Sequence, residues 1–474
     1  MTLAGMKFSS RCGNQVSPRG GKFVKRFWHT LFSTAKPAMM STQEVCVRFQ
    51  DGDRVCIIGG GPAGSFAALH LLAQAEQRGL RLDVLIFEPR DFSRPGPAGC
   101  NRCAGVLSSR LLRGLNTLGL HLPDTVAQSE LHTYALVLNN EVVRVRQPDP
   151  TRRVVGIYRG GGPKHFLNAP SASFDAWLLS QAQARGARHV PARAYLVTQE
   201  NGYPVVHSRQ GRYQTAFLVL ATGINSRPPL DASFGYRPPS SEMMAQDEVL
   251  LPPDWPEGEV RAYFRTLPWL TFGALIPKRN YLNISLLGRH IPRDGVDAFL
   301  ERIRLSLGAE PLEKVRLCGC TPRVTTGVAH PVCGDRWVAV GDAAVSRLYK
   351  DGIGSAFYTA RAAMKAAVTH GISRRSLSRH YALYCRRVHW DNRWGRALFA
   401  LWHFTLGTPL LLRAWKRALL REAKRPQAER VHERILWGMF TGDEPYGRLF
   451  LLAITPTAVW RVAREMCFSG EGDL

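Results

Sequence analysis

The chain has 474 residues, which is enough for two or three domains with a large buried core, and its 45% apolar content is ordinary for a globular protein. These values argue against a disordered chain. The excess of 63 Lys and Arg over 37 Asp and Glu gives a net charge of +26, which indicates an anionic partner: nucleic acid, acidic lipid or a phosphorylated substrate. Ten irregularly spaced cysteines exclude the pattern of a secreted disulfide scaffold, so a reducing compartment is expected.

The first 50 residues are predicted to form a basic N-terminal extension. Residues 1–43 carry seven Lys and Arg and no acid, a composition typical of an organellar presequence or an amphipathic surface helix. The alternative is a flexible extension upstream of a true start at Met39 or Met40. The chain has no run of 18 uninterrupted apolar residues, so no ordinary membrane-spanning helix is predicted.

A strand, a glycine turn and a helix follow one another at Val55–Ala75. Gly59 permits a sharp turn, Gly61 lets a pyrophosphate approach the backbone, and Gly64 lets the helix pack closely on the strand. The N-terminus of that helix supplies free N–H groups and positive dipole, both of which favour a phosphate. The stretch therefore predicts a site for a nucleotide cofactor.

A second predicted strand, Asp83–Phe87, ends in Glu88, 24 residues after Gly64. An acid at this place accepts hydrogen bonds from the hydroxyls of an adenosine ribose. The glycine turn alone is a weak signal, and its alternative is an ordinary βαβ unit. The flanking strands, the helix and Glu88 together favour dinucleotide binding.

Two cysteines, Cys100 and Cys103, lie in a glycine-rich loop that is expected to face the cofactor. Cys103 is the candidate proton donor, and its alternative is a buried structural thiol. Together with Cys318, Cys320 and Cys333, these two cysteines could instead form a metal or iron–sulfur site, or a redox disulfide. The spacing matches no standard cluster, so unlinked thiols and no metal are favoured.

The middle of the chain is predicted to alternate between strands and glycine turns. Residues 131–158 have the alternation of strands, and the loop Tyr158–Pro163 is predicted either to approach a ligand or to form a bend. Phe174–Gly186 is predicted as a helix, and Phe217–Gly223 as a buried strand that returns to the first sheet. The stretch Asn225–Glu259, rich in Pro, Ser and acids, suits a crossing between domains.

Two later blocks carry further site candidates. Phe272–Gly288 is predicted as a hairpin that turns at Pro277–Asn280. The next strand ends at Asp342, whose carboxylate can accept hydrogen bonds from a polyol chain. Gly352 and Gly354 then open a long helix, and its N–H groups can face a phosphate or an electron-rich ring edge.

Residues 372–474 are predicted as a basic helical region. Its apolar stretches Ala397–Leu412 and Leu449–Trp460 are too short and interrupted to span a membrane, but they suit a membrane interface. Because the basic residues lie among Trp, Phe and Leu rather than in a nucleic-acid module, an anionic membrane surface is the expected partner, and no nucleic acid. A helical cap packed on the core is the alternative.

Five blocks of the chain, between residues 55 and 371, carry a resemblance to a known family. Three resemble the FAD-contacting segments of the flavoprotein monooxygenase (p-hydroxybenzoate hydroxylase-like) superfamily, and two resemble segments of its geranylgeranyl reductase branch. The first three are Gly59-x-Gly61-x-x-Gly64 with Glu88, Ala221-Thr222-Gly223, and Gly341-Asp342 with Gly352-x-Gly354. The other two are Cys103-Ala-Gly-Val-Leu107 and Phe272–Asn283.

The resemblance implies FAD as the cofactor, and an α/β fold class. The expected architecture is a Rossmann-like FAD/NAD(P)-binding domain interrupted by an antiparallel β-sheet substrate domain, with a helical C-terminal region. The FAD-binding domain is expected at residues 51–110, 171–225 and 325–371, and the substrate domain at residues 111–170 and 226–324. The implied contacts are Gly59, Gly61 and Gly64 with the pyrophosphate, Glu88 with the adenosine ribose, Asp342 with the ribityl or pyrophosphate region, and Gly352 and Gly354 with the isoalloxazine edge.

Because members of the branch use reduced flavin to saturate isoprenoid double bonds, the resemblance implies an FAD-dependent oxidoreductase that acts on a small lipophilic substrate at a membrane surface. The alternatives are a monooxygenase on the same fold and an electron-transfer flavoprotein that serves a quinone or a protein partner. NAD(P)H and a ferredoxin-like protein are both open as electron donor, since the chain has one nucleotide fingerprint. The expected location is the cytoplasm, peripherally on a membrane, or an organelle if the N-terminus is a targeting segment.

The sequence also departs from the family. The Arg usual just before the Phe174 helix is missing, Ala274 stands where the family has Trp, and Ile276 stands where it has Phe. These differences bear on the isoprenoid substrate rather than on FAD.

Overall fold

The computed structural model describes residues 47–100, 103–138, 141–165, 170–304 and 317–467, and all structural statements below concern these ranges. The N-terminal extension predicted for residues 1–50 lies outside them, apart from residues 47–50.

The secondary-structure elements alternate between strands and helices up to residue 370 and are helical from there on. The described strands are β1 Arg54–Ile58, β2 Asp83–Phe87, β3 Val106–Leu107, β4 Ala127–Glu130, β5 Thr133–Leu138, β6 Glu141–Arg146, β7 Val155–Ile157, β8 Arg188–Val190, β9 Ala194–Glu200, β10 Tyr203–Ser208, β11 Gly211–Gln214, β12 Phe217–Leu220, β13 Ser241–Leu250, β14 Glu259–Tyr263, β15 Leu270–Lys278, β16 Tyr281–Gly288, β17 Arg323–Thr325, β18 Cys333–Gly334 and β19 Trp337–Ala339. The described helices are α1 Pro62–Glu76, α2 Ser109–Asn116, α3 Phe174–Ala184, α4 Gly295–Ile303, α5 Gly352–His370, α6 Arg374–Leu377, α7 Leu383–Gly407, α8 Pro409–Glu422, α9 Val431–Thr441, α10 Tyr446–Ala453 and α11 Pro456–Cys467.

A six-stranded sheet has the order β18-β19-β12-β1-β2-β8. Its strands are parallel except for β18, and their apolar runs are buried in the largest core cluster, as expected when helices pack against a parallel sheet. Helix α1 packs against α5 and α3. Because β1, β12 and β19 are parallel neighbours, their carboxyl ends lie side by side, although the strands come from distant parts of the chain.

A seven-stranded sheet has the order β17-β13-β16-β15-β14-β5-β6. All of its pairs are antiparallel except β14 with β5. A parallel sheet, a largely antiparallel sheet and a helical C-terminal region are the components of the predicted fold class, which is confirmed.

The hairpin prediction is wrong in detail, while the stretch that suited a domain crossing does pass from the six-stranded sheet to the seven-stranded sheet. The hairpin turns at Arg279 and Asn280, and Pro277 lies inside β15, opposite Leu282. A proline is tolerated there because the pairing between β15 and β14 ends at Leu275, two residues earlier. The stretch that suited a domain crossing contains β13. The acids at the carboxyl end of this strand are buried, so its hydropathy pattern is not that of a strand.

The C-terminal helices pack one face against the seven-stranded sheet. The side chains of Trp402 in α7 and Trp437 in α9 share a buried cluster with Tyr134 of β5, whose ring centroid lies 5.5 Å from that of Trp437. This packing is that of a helical cap. Helix α7 ends at Gly407, and α8 begins at Pro409 after a bend of 107°. Within the described ranges no single helix has the length and hydropathy of a membrane span, whereas this bent pair meets both criteria when taken together.

Candidate cofactor and substrate site

Three strand ends meet at the carboxyl edge of the six-stranded sheet. An added Cβ at Gly59, after β1, would lie 2.6 Å from the carbonyl oxygen of Ala221, after β12. An added Cβ at Gly341, after β19, would lie 2.7 Å from the Cβ of Ala63 in the first turn of α1. The structure therefore brings together the three segments that the sequence placed far apart, at the edge where open α/β sheets bind ligands.

The glycine turn after β1 has no space for side chains. Gly59 has a φ of +105°, which favours glycine, and a Cβ at Gly64 would lie 1.8 Å from the carbonyl oxygen of Gly59. Gly61 is the N-cap of α1 and provides no side-chain cap. The first-turn N–H groups of α1 are thus left without a side-chain acceptor, which suits a phosphate.

The carboxylate of Glu88 lies beside this turn. It is buried, and it accepts hydrogen bonds from the backbone N–H of Gly60 at 3.0 Å and from that of Arg90 at 3.0 Å, one on each oxygen. A carboxylate has about four lone-pair sites. Glu88 therefore has capacity for the two hydroxyls of a ribose while it holds the turn in place.

Polar groups also follow β12 and β19. Within the described residues, the hydroxyl oxygen of Thr222 is buried and has no hydrogen-bond partner. Burial raises the pKa of Asp342, although the hydroxyl of Ser346 and the charge of Arg159 oppose the shift. One carboxylate oxygen of Asp342 lies 4.0 Å from the position of a Cβ at Gly352, so the carboxylate borders the start of α5.

Helix α5 begins at Gly352, so both glycines of that block lie in its first turn rather than before it. A Cβ at Gly354 would lie 2.2 Å from a carboxylate oxygen of Asp351, which is the N-cap residue. Asp351 is buried; its Oδ1 accepts a hydrogen bond from the hydroxyl of Ser108 at 2.8 Å, and within the described ranges its Oδ2 has no partner. Burial raises the pKa of Asp351 to about 6, against the opposing charge of Arg347 and the Ser108 hydrogen bond.

The raised pKa of Asp351 predicts a pH-dependent stability. Because the folded state holds this proton more tightly than the unfolded state, the free energy of unfolding falls as pH rises from about 4 to about 6 and then levels off. The isosteric substitution Asp351→Asn keeps an acceptor for the Ser108 hydroxyl and has no proton to lose. It therefore removes the fall in the free energy of unfolding, which is about 3 kcal/mol when a pKa is raised by about two units. Thermal unfolding between pH 4 and pH 7 should show that Asp351→Asn gains stability relative to the wild type, and that this gain grows with pH. An equal effect at all pH values would contradict the prediction.

Cys103 lies on the loop before β3, partly buried against the main core cluster, and its Sγ accepts a hydrogen bond from the N–H of Gly105 at 3.4 Å. Gly105 has a φ of +68°, and a Cβ there would lie 3.2 Å from Nζ of Lys278 in the seven-stranded sheet. The loop of Cys103 therefore lies between the main core cluster and the sheet expected to hold the substrate.

Arg159 and Asp175 form an ion pair beside Cys103 that the sequence did not predict. Asp175 is fully buried, and the Arg159 guanidinium donates to both of its carboxylate oxygens at 2.8 to 3.2 Å. Burial lowers the pKa of Arg159, but the charge of Asp175, with smaller contributions from Cys103 and Cys100, outweighs it and raises that pKa. Arg159 thus provides a cation next to the α3 helix, where the family's usual Arg is missing.

Lys278 is a second buried cation, and it lies in the segment that resembles the reductase branch. Its Nζ lies 3.7 Å from a carboxylate oxygen of Glu248 and 4.5 Å from the ring centroid of Tyr158. Burial raises the pKa of Glu248, although the charge of Lys278 and a hydrogen bond from Asn283 oppose it. Within the described part of the chain, the Tyr158 hydroxyl is buried and has no hydrogen-bond partner. The cluster places a buried ammonium, a carboxyl group and a phenol together at the side of the Cys103 loop.

The loop Tyr158–Pro163 makes a close approach between backbones. A Cβ at Gly160 would lie 2.7 Å from the backbone nitrogen of Cys100, and one at Gly161 would lie 2.2 Å from the carbonyl oxygen of Ser93. The glycines therefore let this loop pack on the cysteine-containing loop.

The structure describes free thiols at Cys56, Cys103, Cys318, Cys333, Cys385 and Cys467. Cys333 is buried, and Cys100, Cys103, Cys318 and Cys320 are partly buried. Burial raises the pKa of Cys318 to about 11, so this thiol stays protonated at neutral pH. In the described ranges no three His, Cys, Asp or Glu side chains are grouped as metal ligands would be.

Comparisons of the amino-acid sequence with known proteins give no match. No family model matches the chain, and no curated protein matches it.

Solved structures do match the fold. A geranylgeranyl bacteriochlorophyll reductase-like protein from Thermoplasma acidophilum is 17% identical with a TM-score of 0.57, and the match covers 87% of this chain and 98% of that one. The flavin-dependent halogenase CmlS is 18% identical with a TM-score of 0.54, covering 89% and 71%. A 2-methyl-3-hydroxypyridine-5-carboxylic acid oxygenase is 16% identical with a TM-score of 0.55, covering 76% and 94%. The chain therefore has the fold that this reductase-like protein shares with a flavin-dependent halogenase and an oxygenase.

Proposed function

We propose that the protein is an FAD-dependent oxidoreductase. The observation that supports it most is the meeting of three strand ends at one sheet edge, with a glycine turn that a side chain would fill and a buried acid beside it. The unpartnered hydroxyl of Thr222 fits a hydrogen bond to such a cofactor. In this assignment Gly59, Gly61 and Gly64 hold the pyrophosphate and Glu88 the adenosine ribose.

The remaining contacts follow the chain along the edge. Asp342 lies at the ribityl or pyrophosphate region, where its carboxylate can accept hydrogen bonds from the ribityl hydroxyls, and the first turn of α5 at Gly352 and Gly354 faces the isoalloxazine edge. Bound and reduced, FAD supplies a hydride. The protein positions the acceptor carbon and provides the proton for its neighbour, and Cys103 is the proposed donor.

The finer proposal is the reduction of C=C bonds in a small lipophilic, isoprenoid-like substrate at an anionic membrane surface. It is supported by the two sequence blocks similar to the reductase branch and by the likeness of fold to a reductase-like protein. The proposed location is the cytoplasm, peripherally on a membrane. The alternative is an organelle, if the N-terminus is a targeting segment. NAD(P)H and a ferredoxin-like protein remain the two candidate electron donors.

A monooxygenase or halogenase activity is the second candidate, because a halogenase and an oxygenase share the fold at similar TM-scores. Electron transfer to a quinone or a protein partner is the third. The purified protein should show a flavin absorption spectrum, or acquire one with added FAD. In stopped flow, a geranylgeranyl lipid should re-oxidise the reduced protein faster than dioxygen or a quinone. A protein that stays colourless in excess FAD would refute the proposal as a whole.

The proposed role of Cys103 predicts a selective kinetic defect. Cys103→Ala removes the proton donor, so re-oxidation by a geranylgeranyl lipid should slow roughly a hundredfold. Reduction of the flavin beforehand should be unchanged, and Cys103→Ser should retain part of the rate. The matched control is Cys467→Ala, which removes an exposed thiol from the last helix. Equal slowing of both half-reactions would instead assign Cys103 a structural role.

A further inference from the structure

The outward face of α7 carries an apolar stripe, defined here as Trp390, Trp394, Leu401 and Phe404. Successive members are four, seven and three residues apart, so the four side chains project from one side of the helix. Their exposed fractions are 56%, 37%, 40% and 63%. A continuous apolar surface of this kind marks an interaction site on a folded protein.

The apolar surface continues onto the neighbouring helix α10. The ring centroid of Trp394 lies 4.7 Å from that of Phe450, and the side chains of Leu451 and Ile454, which follow Phe450, are more than half exposed. Helix α7 packs against α10 along this contact. The exposed surface is therefore built by two packed helices and is wider than one row of side chains.

The charge beside the stripe is positive. Helix α7 contains four arginines and one acid. Arg386, Arg387 and Arg393 are exposed, and the guanidinium of Arg393 lies 4.5 Å from the Trp390 ring centroid. The one acid, Asp391, accepts hydrogen bonds from the N–H groups of Tyr446 and Gly447 at 3.0 and 2.9 Å. Its carboxylate is engaged in starting α10, and four arginines against this one acid leave the Arg and Asp side chains of α7 with a net charge of +3.

We propose that the apolar stripe and its arginines dock the protein onto an anionic lipid bilayer, with α7 lying in the plane of the membrane. Tryptophan is enriched at the boundary of headgroups and acyl chains, and arginine can bury its stem there while its charge meets lipid phosphates. The opposite face of α7 is packed in the protein core, which favours a helix that lies on the membrane over one that crosses it. The inference rests on the membrane part of the proposed function.

The test measures binding of the full chain to vesicles, one set of phosphatidylcholine alone and one of phosphatidylcholine with phosphatidylserine. The apolar variant combines Trp390→Ser and Phe404→Ser, and each change should weaken binding to both sets about tenfold, as expected for losing about 1.4 kcal/mol of apolar burial per side chain. The charge variant combines Arg386→Gln and Arg387→Gln; it should lose the preference for phosphatidylserine and the weakening by salt. The matched control is Tyr195→Ser, which removes a side chain 59% exposed on β9, away from α7.

The outcomes separate lipid from protein partners. Loss of vesicle binding in the apolar variant, with the control and the far-ultraviolet circular dichroism unchanged, supports the proposal. It is overturned if the wild-type chain binds neither set of vesicles, or if the apolar variant binds as well as the wild type. It is also overturned if the wild type is a dimer that the apolar variant dissociates without any vesicle binding, because the stripe is then an interface between two copies. None of these measurements depends on flavin. A negative result for membrane docking therefore does not test the FAD assignment, which the absorption spectrum tests separately.

Discussion

The Gly64→Ala protein is expected to lose its FAD during purification. The added methyl group would lie 1.8 Å from the carbonyl oxygen of Gly59, and this oxygen belongs to the turn on which the pyrophosphate is proposed to lie. Since neither the helix nor the strand can retreat without disturbing the core, the turn must move. Overpacking of this kind costs about 3 kcal/mol. If the cost falls on the turn, FAD binding weakens roughly a hundredfold.

The matched control for this variant is Gly79→Ala. Gly79 has a φ of +67°, so alanine strains the backbone there, but its Cβ would meet nothing within 4 Å. Flavin absorbance per protein, and the dissociation constant of added FAD, are the measurements. Gly79→Ala should retain FAD at a small cost in stability. If Gly64→Ala binds FAD as tightly as the wild type, the cofactor does not lie on this turn.

Glu248→Leu is expected to destabilise the protein by about 3–5 kcal/mol, because it leaves the Lys278 ammonium buried without its counter-charge. Glu248→Gln should cost less, since an amide can still accept the hydrogen bond that Asn283 donates to Glu248 at 3.3 Å. The double variant Glu248→Gln with Lys278→Met should recover most of the loss, because replacing both charges removes the unpaired ion. The measurement is the urea unfolding midpoint of the wild type, of Glu248→Leu, of Glu248→Gln, of Lys278→Met and of the double variant.

The recovery in the double variant is the decisive comparison. If the pair interacts, the double variant loses much less stability than the sum of the Glu248→Gln and Lys278→Met losses, whereas the losses of two independent residues add. Additive losses would show that water reaches Lys278 in the folded protein, and the cluster around Tyr158 would then not be shielded from solvent.

The sequence predicted the parts of the site that depend on local backbone geometry. A turn between a strand and a helix that must admit a pyrophosphate requires glycine at set spacing, so Gly59 and Gly64 were visible without any partner. Glu88 was visible because it directly follows a strand. Asp342 was visible because it ends a strand and Gly352 because it opens a helix, and in the structure a carboxylate oxygen of Asp342 lies 4.0 Å from the position of a Cβ at Gly352.

The parts that were missed depend on pairings between distant segments. Arg159 forms an ion pair with Asp175 because Tyr158 forms a parallel β-bridge with Ser173. Such a bridge cannot be predicted from the spacing of residues in the sequence. Glu248 lies in a stretch whose acids argued against a strand, and only its contact with Lys278 explains why it is buried. The signal that could have found Lys278 is its place after Pro277 in a block similar to the reductase branch.

The distribution of the six-stranded sheet along the chain has a consequence for synthesis on the ribosome. Strand β12 receives its neighbour β19 more than a hundred residues later, after the whole seven-stranded sheet has been translated. Until then the nascent chain has an open hydrogen-bonding edge on an apolar strand, which is a template for aggregation. Expression that stalls before Trp337 should therefore yield insoluble fragments rather than a smaller working domain.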